Sequence, residues 1–145
     1  MPELERLHGL RVVADPAALD TAQWHGENVT VLRFAPDDAF AFGAVAVDVD
    51  DEHAIVEAEA GFVGVWLPIG DLVPHLEWPL PAARPALAQG AVAGVPAKVW
   101  VPARGLGMGR DTGMGRDNGL GSGGDELALL LTAAAYGHEL AGRLR

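Results

Sequence analysis

Cysteine is absent, which excludes disulfides, thiolate metal sites, iron–sulfur ligation and a cysteine nucleophile. Lysine is almost absent: Lys98 stands alone among 145 residues, and ten Lys and Arg face twenty Asp and Glu for a formal charge of −10. Neutralising several phosphates needs clustered cations, and the arginines here are scattered or sit beside Asp111 and Asp117, so no nucleic-acid partner is expected. The same deficit disfavours an anionic membrane surface. The longest apolar run, Leu127 to Ala135 with Thr132 inside it, is too short to span a bilayer. No basic segment followed by an apolar one opens the sequence MPELERLHGL, so no secretion signal is read and a cytoplasmic location is expected. Serine is represented by Ser122 alone, outside any GxSxG setting, which removes serine hydrolase chemistry.

What is present is a globular composition, 50% hydrophobic and 21% charged, with aromatics at only 6%. Aliphatic residues and alanine must therefore fill the core. Leu7 to Val13 reads as a first strand, and Asp15-Pro16 as the cap and first residue of a short helix to about Gln23. Val29 to Phe34 and Ala39 to Val49 read as an antiparallel hairpin around Ala35-Pro36-Asp37-Asp38. Two extended segments, Ala54 to Glu59 and Phe62 to Leu67, are expected to join near Gly61, and a short helix to run from Gly70 to Leu76. Trp78 to Pro85, with three prolines, is a stiff surface crossing; Ala91 to Val101 closes the sheet as a strand kinked at Gly94-Val95-Pro96.

The last segment is expected to be a helix from Asp125 to about Leu144. Residues 127, 130, 131, 134, 141 and 144 form one apolar stripe, and Leu129, Ala133, Tyr136 and Leu140 a second. A helix apolar on two faces buries two faces, which makes that second stripe a candidate interface in a homo- or hetero-oligomer. About six strands with two or three helices give an α+β fold, an antiparallel sheet with helices on one face. The expected organisation is a core domain over residues 1–104, a glycine-rich linker over 105–124, and a C-terminal helix over 125–145 that packs on the core or on a partner.

Chemistry-bearing patterns are scarce. The acidic run Asp48 to His53 (DVDDEH) lacks the spacing, glycine and closing glutamate of a calcium loop and reads as a solvated loop. His8, His25, His53, His75 and His138 show no metal-ligand or catalytic spacing, so no metal site and no catalytic residue is assigned. Gly119 to Gly124 satisfies GxGxxG in letters, but no strand precedes it and no lysine follows it. Asp125 also places a carboxylate where a phosphate would sit. Gly107 to Thr112 and Gly113 to Asn118 form a tandem hexamer, which reads as a duplicated spacer. No cofactor is expected.

The stretch from Val29 to Val101 resembles the gamma subunit of heterotetrameric sarcosine oxidase, a relative of the folate-binding domains of aminomethyltransferases. The resemblance lies in the turn Ala35-Pro36-Asp37-Asp38 between apolar strands, the segment Phe62 to Leu67, the helix Asp71 to Leu76, the proline-bearing Trp78-Pro79-Leu80-Pro81, Gln89-Gly90, and Gly94-Val95-Pro96-Ala97-Lys98-Val99-Trp100. It implies a ferredoxin-like, aminomethyltransferase-like core. It further implies an accessory subunit, non-catalytic on its own, with larger flavoprotein oxidase subunits as partners and the flavin and nicotinamide cofactors held by those chains. The alternative it leaves open is a small-molecule, folate-like binding or one-carbon transfer domain.

Overall fold

A computed structural model describes residues 3–103 and 126–144. They form seven strands, mostly antiparallel, three short α-helices and a 3-10 turn over Val73–His75, an α+β fold in which sheet dominates. In order these are β1 (Glu5–Val13), α1 (Pro16–Asp20), β2 (Gln23–Ala35), β3 (Asp38–Asp48), β4 (Ile55–Pro68), α2 (Ile69–Leu72), β5 (Ala86–Val92), β6 (Val95–Val101), β7 (Leu127–Ala133) and α3 (Ala134–Arg143). The chain divides into two compact units, one of Arg6–Val63 and one of Met1–Glu5 with Gly64–Arg145. The tandem hexamer, the GxGxxG letters and the expected linker over 105–124 lie outside the described residues.

In the Arg6–Val63 unit the strand order is β2-β3-β1-β4. β3 is antiparallel to both neighbours, with Gly9 opposite Phe42 and Val13 opposite Asp38 on one side and Leu32 opposite Phe40 on the other. Along β3, alternate residues face opposite sides. Ala39 meets Val12, Ala14 and Leu19 in a buried cluster, while Phe40, its neighbour in sequence, is also fully buried. Pro16 opens α1 as expected, but Asp15 makes no side-chain cap; its N–H is instead held by the Asp51 carboxylate at 2.8 Å.

The β2–β3 hairpin is longer than the alternation suggested, and it is bent. Pairing jumps from Gly26 opposite Ala44 to Thr30 opposite Phe42, so three residues of β2 face the single Gly43. Gly43 has φ +91°, which favours glycine, and a Cβ there would stand 3.0 Å from the Glu27 carbonyl oxygen, a tight approach in the same direction. The bend lets Trp24 and Val47, from the hairpin's far arm, join Val31 and Leu10 against the Val12–Leu19 cluster.

In the other unit the order is β4-β7-β6-β5. What reads in sequence as one kinked strand over 91–101 is a hairpin: β5 begins at Ala86, and Ala93 and Gly94, at φ +51° and +82°, make a two-residue turn between Val92 and Val95. The segments on either side of Gly61 form one continuous β4. The crossing over 77–85 is neither helix nor strand, as its prolines require. It runs from Leu76, bridged to Val92, to the start of β5. Trp78 donates its indole N–H to the Ala91 carbonyl at 3.1 Å, and Arg84 pairs with Glu126 at 2.8 Å with its own side chain 9% exposed.

The C-terminal segment departs from the expected helix. Leu127–Ala133 is strand, and the helix starts only at Ala134. Ala128, Leu129, Leu130 and Leu131 are all fully buried, so β7, between β4 and β6, is covered on both of its faces. A run of consecutive leucines matches a helical stripe and an inner strand equally well, so its periodicity carried no information. In α3 itself, Leu140 packs into the core of Val65, Leu67, Leu72, Val92, Val99 and Leu130.

Candidate functional site

The most connected polar group in the described residues is built on β1, β3 and β4 of the Arg6–Val63 unit. Arg11 faces Phe40 across the β1–β3 pair, which puts its guanidinium beside the first residue of β3. Its Nε and one terminal nitrogen donate to the two oxygens of Asp38 at 2.7 and 2.8 Å, a bidentate fork, and the other nitrogen reaches Glu59 at 3.3 Å. The guanidinium carbon also lies 4.8 Å from the centre of the Phe34 ring. Phe62 meets Phe34 edge-on at 5.5 Å and lies 5.2 Å from Phe40, which stacks on Phe42 at 6.5 Å, so all four phenylalanines of the chain belong to one cluster.

The electrostatics of this group are those of a clamp. The Arg11 pKa is raised above its ordinary value, first by the hydrogen bond to Asp38, against which partial burial works, and then by the charges of Asp38 and Glu59. The second Glu59 oxygen accepts the Gly61 N–H at 2.9 Å. Both carboxylates are thus held by hydrogen-bond donors on neighbouring elements, an arrangement that suits positioning. Arg11, Asp38 and Glu59 were not singled out from sequence, because they come from three strands and only the register brings them together. Asp38→Ala should lower stability by about 1–2 kcal/mol, since it strips a part-buried fork and leaves Arg11 one weaker partner. Chemical unfolding of the purified variant measures this.

The acidic run Asp48 to His53 is anchored at one point. Asp51 accepts N–H bonds from Asp15 at 2.8 Å and from His53 at 2.9 Å, which hold its carboxyl below the ordinary 3.8, with the His53 charge adding and slight desolvation opposing. A depressed folded pKa contributes stability above the unfolded value that is lost as pH falls through the folded one. Asp51→Asn should therefore flatten the acid limb of stability between about pH 5 and pH 2, leaving the neutral plateau lower. Denaturation followed across that range checks it. His25 lies 2.9 Å from Asp48 and His53 3.4 Å from Glu52, all four exposed. Among the described residues no three His, Asp or Glu side chains converge as metal ligands.

The four residues expected to form an interface do not share a face. Leu129 and Ala133 are in β7, Tyr136 and Leu140 in α3. Leu129 and Leu140 are fully buried within the chain, while Ala133 is exposed and Tyr136 is 43% exposed. The stripe dissolves because half of it is strand. Exposed aliphatics stand elsewhere: Val45 at 78%, Ile55 at 56% and Val56 at 44%. Val45 is the extra residue of a bulge, since His25 pairs with Ala46 and Gly26 with Ala44. No helix of the described residues is long and apolar enough to cross a membrane. Comparisons with family models, with curated proteins and with solved structures gave no match.

Proposed function

We propose that this chain is a non-catalytic interaction domain, an accessory subunit of the kind implied by its resemblance to the gamma subunit of heterotetrameric sarcosine oxidase. The observation that carries the reading is the exposure of Ile55 and Val56. Consecutive residues of a strand point to opposite faces, so two large aliphatics in sequence leave both faces of β4 uncovered at that end. Isolated surface aliphatics need no explanation, but a strand segment bare on both sides is a surface that gains by burial. A ferredoxin-like core finds support in the order β4-β1-β3-β2 with α1 joining β1 to β2. The link from β3 to β4, only residues 49–54, carries no helix.

Coexpression with the large flavoprotein subunits of a sarcosine oxidase tests the reading. The chain should co-elute with them in size-exclusion chromatography and show no oxidase activity alone; elution as a free monomer beside them would sink it. A second reading, a folate-like ligand domain, is favoured by the half-buried Phe34 and Phe62, which offer a flat ring stacking surfaces. Tetrahydrofolate at a hundred times its dissociation constant would then add about 2.7 kcal/mol of stability in a thermal shift.

A further inference from the structure

β4 has fourteen residues and β7 only seven, so β7 can line no more than half of β4. The Ile69 N–H donates to the Glu126 carbonyl at 2.8 Å, which places the start of β7 at the Pro68 end. At the other end β4 has β1 on one side and, among the described residues, no strand on the other. The 60–61 peptide takes side-chain partners on its two opposite edges: the Ala60 carbonyl accepts from Arg6 at 2.7 Å, and the Gly61 N–H donates to Glu59 at 2.9 Å. Residues 55–58 are all exposed.

Natural sheets guard such edges with charged side chains, above all lysine, and with proline, bulges or a covering segment. Each of the other two edges has a guard. β5 is flanked by the proline-rich crossing, with Leu76 bridged to Val92 and the Trp78 indole on Ala91, and β2 is interrupted by the irregularity between Gly26 and Thr30. Ile55 to Val63 contains no lysine and no proline, and its guards are the acidic Glu57 and Glu59, which turn away an acidic strand and not a basic one.

Charge decides what this edge can accept. The Arg6–Val63 unit carries eleven acidic residues against three arginines. Arg11 and Arg33 are paired with carboxylates, and Arg6 is bonded to a carbonyl. Glu57 and Glu59 lie on the open segment, and the run Asp48 to Glu52 leads into it. A second copy added here would set glutamates against glutamates, and like charges facing across strands are destabilising. We propose that the Ile55–Glu59 edge of β4 accepts, by strand addition, an extended segment of a partner protein in which basic side chains alternate with apolar ones. Main-chain hydrogen bonds would supply the pairing, Ile55 and Val56 the apolar contacts, and Glu57 the preference for a basic strand. The proposal rests on the interaction-domain reading and names the partner's chemistry.

The test uses the full chain, isotope-labelled, with an octapeptide alternating valine and lysine; a valine–glutamate peptide and a proline-interrupted valine–lysine peptide are the controls. The valine–lysine peptide should slow amide exchange over residues 55–61 about tenfold, with an effect that weakens as salt rises. Glu57→Lys should reverse the preference between the lysine and glutamate peptides. Unchanged amides, equal protection by the proline peptide, or protection of the same amides by self-association of the chain alone would each overturn the proposal. Co-elution with oxidase subunits while residues 55–61 exchange as in the free chain would overturn this edge and leave the accessory-subunit reading standing. Peptide protection without such co-elution would uphold the edge and sink that reading.

Discussion

Gly9→Ala is expected to destabilise the protein by about 3 kcal/mol, the upper end of what overpacking costs. A Cβ at Gly9 would overlap the Ala41 carbonyl oxygen and approach the Ala41 carbonyl carbon and the Phe42 Cα to 2.9 Å. All three are backbone atoms of β3, which is hydrogen-bonded to β2 on its other side, so no flexible side chain can yield. Gly142→Ala is the matched comparison: nothing stands within 4 Å of a Cβ there, in α3. It should stabilise by about 0.5–1 kcal/mol through helix propensity and a less flexible unfolded chain. Urea unfolding of the two variants reads both effects from the midpoints at constant slope. Tolerance of Gly9→Ala within about 0.5 kcal/mol would mean that Gly9 does not face Phe42.

Leu129→Ala and Leu130→Ala should each cost about 2–5 kcal/mol in the isolated chain. Adjacent residues point to opposite sides of β7, yet both are fully buried, so each truncation opens a cavity on its own face. The pair distinguishes the strand from the helix that the sequence suggests. On a helix with Leu129 reserved for a partner, Leu129→Ala would leave the free chain's stability nearly unchanged and weaken association instead. Thermal unfolding of each variant at low concentration decides between them, and a neutral Leu129→Ala would sink the strand assignment.

The local signals that held share one property: a single residue type fixed the backbone. Pro36 and its acidic neighbours mark the β2–β3 turn, Pro16 the start of α1, and three prolines keep 77–85 out of helix and strand. Where the signal was periodicity it reached less far. Leu127 to Leu131 fit a helix because any run of leucines does. Gly94 was visible as a break, but only φ +82°, with Ala93 beside it in the same region, makes that break a hairpin turn. The residues of the expected interface stripe are divided between β7 and α3, and the site residues Arg11, Asp38, Glu59 and Phe34 gave no local pattern at all.

By itself the sequence determined the class of the protein and much of what it excludes. Absent cysteine rules out thiolate chemistry, and turns and prolines at fixed places divide the chain into strands of an α+β fold. Tertiary structure alone decided which strands are neighbours, and with that the rest. Hydrogen bonding between segments distant in sequence sets Arg11 between Asp38 and Glu59, buries both faces of β7, and leaves one end of β4 with a single neighbour among the described residues. Such pairings carry no local signature, because any strand of suitable alternation can satisfy another's backbone; only the competition among all seven selects the order.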